Sequence, residues 1–136
     1  MTTSIPYGLT VQLDLPFDTA VEATRAAFAA EGFGILMEAD LQATFKKKLG
    51  REHTPYVILG ACSPADAFEA LQLEPDLGLL LPCNVIVRDA GNGRTQVAAL
   101  DASVQLALTG NDALAPAAAA IRERAARAIA ALAKKS

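Results

Sequence analysis

The 136-residue sequence has no tryptophan, one histidine and two cysteines, so few of its side chains can carry redox or acid–base chemistry. His53 has no second histidine and no cysteine at metal-ligand spacing, which argues against a zinc site. Serine-hydrolase and phosphate-binding loop motifs are also missing. No run of about 18 apolar residues occurs, which excludes a membrane-spanning helix. The net charge of −3 and the lack of a strongly basic face argue against nucleic-acid binding.

The start of the chain has no basic segment followed by an apolar stretch, so no signal peptide is predicted. Cysteines in a chain without a secretory signal are expected to stay thiols in a reducing compartment. The predicted location is therefore the cytoplasm, and a structural disulfide is the less favoured alternative.

Alternation of apolar and polar residues, or a short apolar run, predicts each of five strands. They are expected over residues 7–14, 34–38, 56–62, 83–89 and 94–101. Residues with helical periodicity lie between the first four strands, and the last two strands are joined by a tight turn at Gly91, Asn92 and Gly93. This order predicts an α+β two-layer sandwich, with one largely antiparallel, curved sheet and helices on one face. Residues 1–136 are expected to form one domain.

Polar residues before the helical segments predict where the helices begin. Asp18, Asp40, Ser63 and Asn111 are the expected N-caps. The last helix is rich in alanine and extends to about residue 133. It carries a stripe of small residues that allows close approach to a sheet or to a second helix: Ala118, Ala125 and Ala128. Together with the low charged fraction of 20%, this stripe predicts a homodimer. C2 is the commonest symmetry for such a pair.

The two cysteines are the candidate reactive groups. Cys62 directly precedes Ser63, and the helix that begins there is expected to lower the pKa of its thiol. Cys83 shares a strand face with Val85 and Val87, so burial is expected to raise its pKa. Cys62 is therefore predicted to be alkylated faster than Cys83. The alternative is that both are small buried hydrophobic residues.

Two charged residues are weaker candidates. Lys48 follows Phe45 by three residues and lies at the apolar edge of its helix, so its ammonium group either enters a pocket or extends to water. Glu74 lies beside Pro75 in an acidic loop, which either neighbours a site or is only solvated.

Four segments resemble the DUF302 family, also called the TT1751-like family. They are GFGIL at residues 32–36, DLQATFKKKLG at 40–50, PYVILGACSP at 55–64 and EPDLGLLLPCN at 74–84. Ser63 stands where the family often has asparagine; both residues cap helices, so the expected fold is unchanged. The resemblance covers nearly the whole chain.

This resemblance implies a TBP-like α+β fold and a homodimer; the likeness to TBP is one of fold only and does not imply DNA binding. It implies no particular activity or cofactor. The positions that match the family's motifs are Lys47 or Lys48, Cys62, Glu74, Pro82, Cys83 and Asn84.

Three functions are compatible with these residues. The favoured one is a small-molecule-binding or sensing module with a pocket near Cys62 and Cys83, in which Lys48, Glu74 and Asn84 bind the ligand. The second is a thiol-dependent redox or transfer enzyme that uses Cys62 and Cys83. The third is a structural homodimerisation module without a ligand. No metal site is predicted.

Overall fold

Six antiparallel strands form one sheet in the computed structural model, which describes residues 2–135. Their order across the sheet is β1-β2-β6-β5-β4-β3. The strands are β1 (Thr2–Ile5), β2 (Gly8–Leu13), β3 (Gly34–Asp40), β4 (Tyr56–Cys62), β5 (Cys83–Gly91) and β6 (Arg94–Leu100).

Five helices connect and cover the strands. They are α1 (Phe17–Ala30), α2 (Leu41–Leu49), α3 (Pro64–Leu73), α4 (Ala102–Ala107) and α5 (Ala115–Ala133). Two 3-10 turns, Pro75–Leu80 and Asp112–Leu114, precede β5 and α5 respectively. None of the helices within residues 2–135 is long and apolar enough to span a bilayer.

The core lies on one face of the sheet, under α1 and α5. Every second residue of the central strands points into it, since side chains alternate across a strand. Leu59, Val85 and Val97 are fully buried there, and Phe28 of α1 and Leu132 of α5 pack in the same cluster. The predicted α+β sheet with helices on one face is confirmed.

The sheet has six strands rather than about five, because β1 was not predicted. Thr2–Ile5 lacks apolar alternation and all four residues are exposed. They form a strand only because they pair with β2, where Thr3 lies opposite Thr10. The backbone hydrogen bonds to β2 hold this segment in an extended conformation that its own residues do not predict.

The capping predictions were right at Asp40, whose side chain accepts a hydrogen bond from the Ala43 amide at 3.0 Å. They were wrong at Asp18, because α1 begins two residues earlier than expected, at Phe17 with Pro16 as its N-cap. Ser63 is the N-cap of α3, but its hydroxyl donates to Asp66 Oδ2 at 2.6 Å instead of capping a backbone amide. Asn111 caps the short 3-10 turn rather than α5 itself.

The alanine stripe of α5 faces the interior of its own chain. Ala125 and Ala128 pack in the core beneath the sheet, and Ala118 packs in a second cluster with Leu77 and Leu114. Of the two uses expected for this stripe, the structure shows close approach of α5 to its own sheet. The stripe therefore no longer supports the homodimer, which stays a prediction.

The opposite face of the sheet carries the alternate residues of the same strands. We call it the open face. Ile58, Ile86 and Ala98 lie there and are half-buried, whereas their strand neighbours on the helix-covered face are fully buried.

Candidate functional site

The two cysteines lie at neighbouring strand ends. Ala61, the residue before Cys62, is directly opposite Cys83 in the β4–β5 register. Cys62 and Cys83 line one small cavity, which we call the thiol cavity, and both are free thiols. The sequence left open whether the two cysteines are close in space, and the fold brings both to the wall of one cavity.

Burial controls the chemistry of both thiols. It raises the pKa of Cys83 to about 11, with smaller contributions from the negative charge of Asp101 and from Cys62. The Cys83 thiol also donates to the Leu100 carbonyl at 3.4 Å. These contacts make Cys83 a poor thiolate at neutral pH.

The pKa of Cys62 is also raised, by burial, so the expected lowering by the helix that follows it is wrong. The first turn of that helix already carries the Asp66 carboxylate, whose negative charge interacts with the positive end of the helix dipole. Loss of solvation then decides the direction of the shift.

Arg124 holds the polar groups around Cys62 in contact with one another. Its guanidinium donates to the Asp66 carboxylate and to Ser63 Oγ, the latter at 3.2 Å, and lies 5.4 Å from the Phe33 ring centroid. These bonds tie α3 to α5 beside the cavity. Arg124 is therefore already paired with a carboxylate of its own chain, and the Ser63 hydroxyl both donates to Asp66 and accepts from Arg124.

The thiol cavity has a volume of about 30 Å³. That volume accommodates about one water molecule. Its other walls are mostly apolar, and the buried Gln105 beside it donates its amide to the Leu80 carbonyl. The cavity is therefore too small for an organic ligand in this conformation.

Lys48 and Glu74 lie away from the cysteines. Lys48 is exposed on α2, and the chain passes from α2 into the start of β4. Cys62 lies at the other end of that strand. Glu74 accepts a hydrogen bond from the Asn111 side-chain amide at 3.1 Å, which joins the end of α3 to the turn before α5. Neither residue lines the thiol cavity.

Asn84 lies on the open face, in a groove of about 420 Å³ that we call the open-face groove. Its floor is formed by β4, β5 and β6. It is lined by Ile5, Tyr7, Gly8, Tyr56, Asn84, Ile86, Arg88, Gln96, Ala98, Ala99 and Leu100. Cavities of roughly 300–1,000 Å³ are typical of small-molecule sites.

The groove continues past Asn84 into a second depression of about 380 Å³, which we call the leucine end. Tyr7, Asn84 and Leu100 line both depressions. The leucine end also exposes two large apolar side chains, Leu79 at 88% and Leu108 at 74%. They adjoin the apolar side chains of Leu80, Leu81 and Val104, and contiguous exposed apolar surface often marks an interaction site.

Pro82 separates the thiol cavity from the open face. It follows a cis peptide bond, and a Cβ built on Gly60 would lie 2.7 Å from its Cγ atom. Gly60 pairs with Asn84 across β4 and β5. The missing side chain of Gly60 thus leaves room for the Pro82 ring to pack against β4.

A row of three residues crosses the other end of the groove. Tyr56, Arg88 and Gln96 are paired neighbours on β4, β5 and β6. Arg88 Nη2 donates to Gln96 Oε1 at 3.0 Å, and Arg88 makes no ion pair within residues 2–135. Tyr56 lies against His53, which in turn lies against Phe45 of α2.

Sequence reasoning missed Arg88, Gln96, Gly60 and both tyrosines as site residues. The signal was present in β5: if Cys83, Val85 and Val87 face the core, then Asn84, Ile86 and Arg88 must share the other face. The sequence analysis expected helices on only one face of the sheet, but it did not work out which side chains the other face would present.

The part of the chain that the structure describes contains no cluster of three or more histidine, cysteine or acidic side chains suited to a metal ion. Comparison with known proteins finds a match to the family model for a domain of unknown function, DUF302, over residues 9–132. No curated protein matches the chain.

The chain is also similar to a solved structure, the crystal structure of an uncharacterized conserved DUF302 protein from Bacillus stearothermophilus. The two share 26% sequence identity with a TM-score of 0.85. The match covers 94% of this chain and 99% of that one.

Proposed function

This chain belongs to the DUF302 family, whose function is unknown, and we propose from its own geometry that it is a small-molecule-binding module with its ligand in the open-face groove. One observation carries this proposal. A concave surface of about 420 Å³ combines an apolar floor with the exposed side chain of Asn84 and the half-buried side chain of Arg88. A few polar groups on an apolar surface are the usual composition of a ligand site.

The groove supports ligand binding better than the thiol cavity does. The thiol cavity is too small by about tenfold, and its polar neighbours are bonded to one another. Asn84 is the predicted ligand-binding residue that this proposal keeps. Catalysis by Cys62 and Cys83 has less support, because the pKa values of both thiols are raised.

The chain offers an intrinsic probe of this proposal. Its two tyrosines, Tyr7 and Tyr56, both line the open-face groove, and it has no tryptophan. We expect the uncharged dye N-phenyl-1-naphthylamine to bind saturably, gain fluorescence and quench tyrosine emission by energy transfer. Ala98→Phe, which fills the groove floor, should abolish these changes.

Ala26→Phe is the matched control, since Ala26 is exposed on α1 on the other side of the sheet. It should leave dye binding unchanged. Equal binding by the wild type and Ala98→Phe, with both folded by circular dichroism, would reject the open-face groove as the site.

A second copy of the chain is the competing occupant of the same face. The observation that favours it is the exposure of Leu79 and Leu108 at the leucine end. Sedimentation equilibrium at micromolar concentration separates the two: a dimer that Leu108→Ser dissociates and that excludes the dye would support pairing through this face. A monomer that binds the dye supports the ligand.

A further inference from the structure

We propose that the ligand of the open-face groove is an amphipathic anion, with a carboxylate head that pairs with Arg88 and an apolar chain that runs along β5 toward the leucine end. This inference rests on the function proposed above and names the class of molecule bound.

The first argument is the unpaired charge of Arg88. Five of the seven arginines pair with a carboxylate within residues 2–135, and a sixth, Arg51, is exposed. Arg88 alone is half-buried without such a partner. A guanidinium on a half-buried residue that has no carboxylate partner is a suitable site for an anionic group.

The second argument is the orientation of that guanidinium. Gln96 Oε1 accepts one of its N–H groups at 3.0 Å and so holds it on the open face. A guanidinium has five N–H donors, so donors remain for a two-oxygen head. Among residues 2–135, Arg88 is the only charged residue that lines the groove, so no acidic side chain there competes for it.

The third argument is the gradient of polarity along the groove. Arg88, Ile86 and Asn84 share one face of β5 at two-residue intervals, so Arg88 and Asn84 are roughly 13 Å apart along the strand. Beyond Asn84, the leucine end contains no charged side chain within the described residues. A linear molecule with its charge at Arg88 would therefore place its apolar end against Leu100 and Leu108.

The test compares two probes with the same chain, octanoate and 1-octanol, by amide chemical shifts of the full-length protein. Both should perturb the open-face amides of β5 and β6. Octanoate should bind about tenfold more tightly, since a hydrogen bond to a charged group contributes about 1.5 kcal/mol. Arg88→Gln should reduce octanoate affinity to that of octanol and leave octanol binding unchanged.

Arg51→Gln is the matched control, because it removes an exposed, unpaired arginine outside the groove. It should not change either affinity. A measurement on the wild type covers the case in which Arg88→Gln does not fold: raising the salt concentration should weaken octanoate binding and not octanol binding.

Equal affinity for the two probes, or an octanoate preference that survives Arg88→Gln, would overturn the anionic head while the groove remains a ligand site. If neither probe perturbs the open-face amides, the proposed function fails together with this inference.

Discussion

The covered face and the open face of the sheet are made from alternate residues of the same strands, but their side chains are used differently. On β5, Cys83, Val85 and Val87 are buried under the helices, whereas Asn84 and Arg88 reach solvent one residue away. On the covered face, a potentially reactive group such as the Cys83 thiol is buried and therefore stays protonated at neutral pH. On the open face, polar groups keep free donors and acceptors. The site most compatible with ligand binding is therefore the face that contributes least to the core.

The largest expected difference between the faces is in stability. Leu59 is fully buried and its neighbour Ile58 lies half-buried on the open face. We expect Leu59→Ala to lower the free energy of unfolding by about 3 kcal/mol, because it removes buried methyl groups and leaves a cavity. Ile58→Ala should cost about 1 kcal/mol. Urea denaturation measures both, and equal costs would mean that the open face is as well packed as the core.

The next effect is pH dependence from the covered face. Burial raises the pKa of Cys83 from 9.0 to about 11. Below pH 9 the thiol is protonated in both the folded and unfolded states, so its contribution to stability is fully present. As the pH rises from 9 to 11 the unfolded chain releases this proton first, and about 2 kcal/mol of stability is lost.

Cys83→Ala should remove that part of the pH dependence, although it lowers stability at pH 8. The measurement is the change in unfolding free energy between pH 8 and pH 11 for both proteins. A variant that loses as much stability as the wild type over this interval would show that Cys83 is not the group responsible.

A smaller effect is expected where the two faces meet at Pro82. Gly60→Ala would bring its Cβ to 2.7 Å from Pro82 Cγ, and we expect a loss of about 1.5 kcal/mol together with weaker dye binding in the adjacent groove. Gly34→Ala is the control, because its Cβ would find only the Cys62 carbonyl oxygen at 3.9 Å. Comparable losses in both variants would point to strand propensity rather than to the Pro82 contact.

The smallest effect concerns the two thiols. Cys83 is 8% exposed with a pKa of about 11, whereas Cys62 is half-buried. We still expect iodoacetamide to label Cys62 about tenfold faster at neutral pH, because thiolate fraction and access both favour it. Both rates should be well below that of a free thiol. Mass spectrometry after brief treatment decides the order, and faster labelling of Cys83 would contradict the burial observed here.

Most of the fold could be predicted from local patterns. The bounds of β4 agree residue for residue with the predicted strand, and the turn at Gly91, Asn92 and Gly93 has the positive φ angles that were expected. Strand alternation and turn residues act over a few positions, so a sequence reveals them directly. β1 was missed because its strand conformation depends on pairing with β2.

The site could be predicted only in part. Cys62 and Cys83 do share a cavity, but its size depends on how Leu77, Leu81 and Leu106 fill the space between them. Lys48 and Glu74 were grouped with the cysteines by motif alone, and the fold separates them. Arg88 was overlooked because its lack of a carboxylate partner is a property of the assembled sheet.

The sequence by itself determined five of the six strands, most helix ends and the alternation that divides each strand into two faces, because these depend on neighbouring residues and on backbone geometry. The tertiary structure decided which face the helices cover, that the alanines of α5 pack in the core of their own chain, and that Asn84 and Arg88 lie in one groove. Those outcomes depend on contacts between residues far apart in the chain, and the solvation of each side chain follows from them.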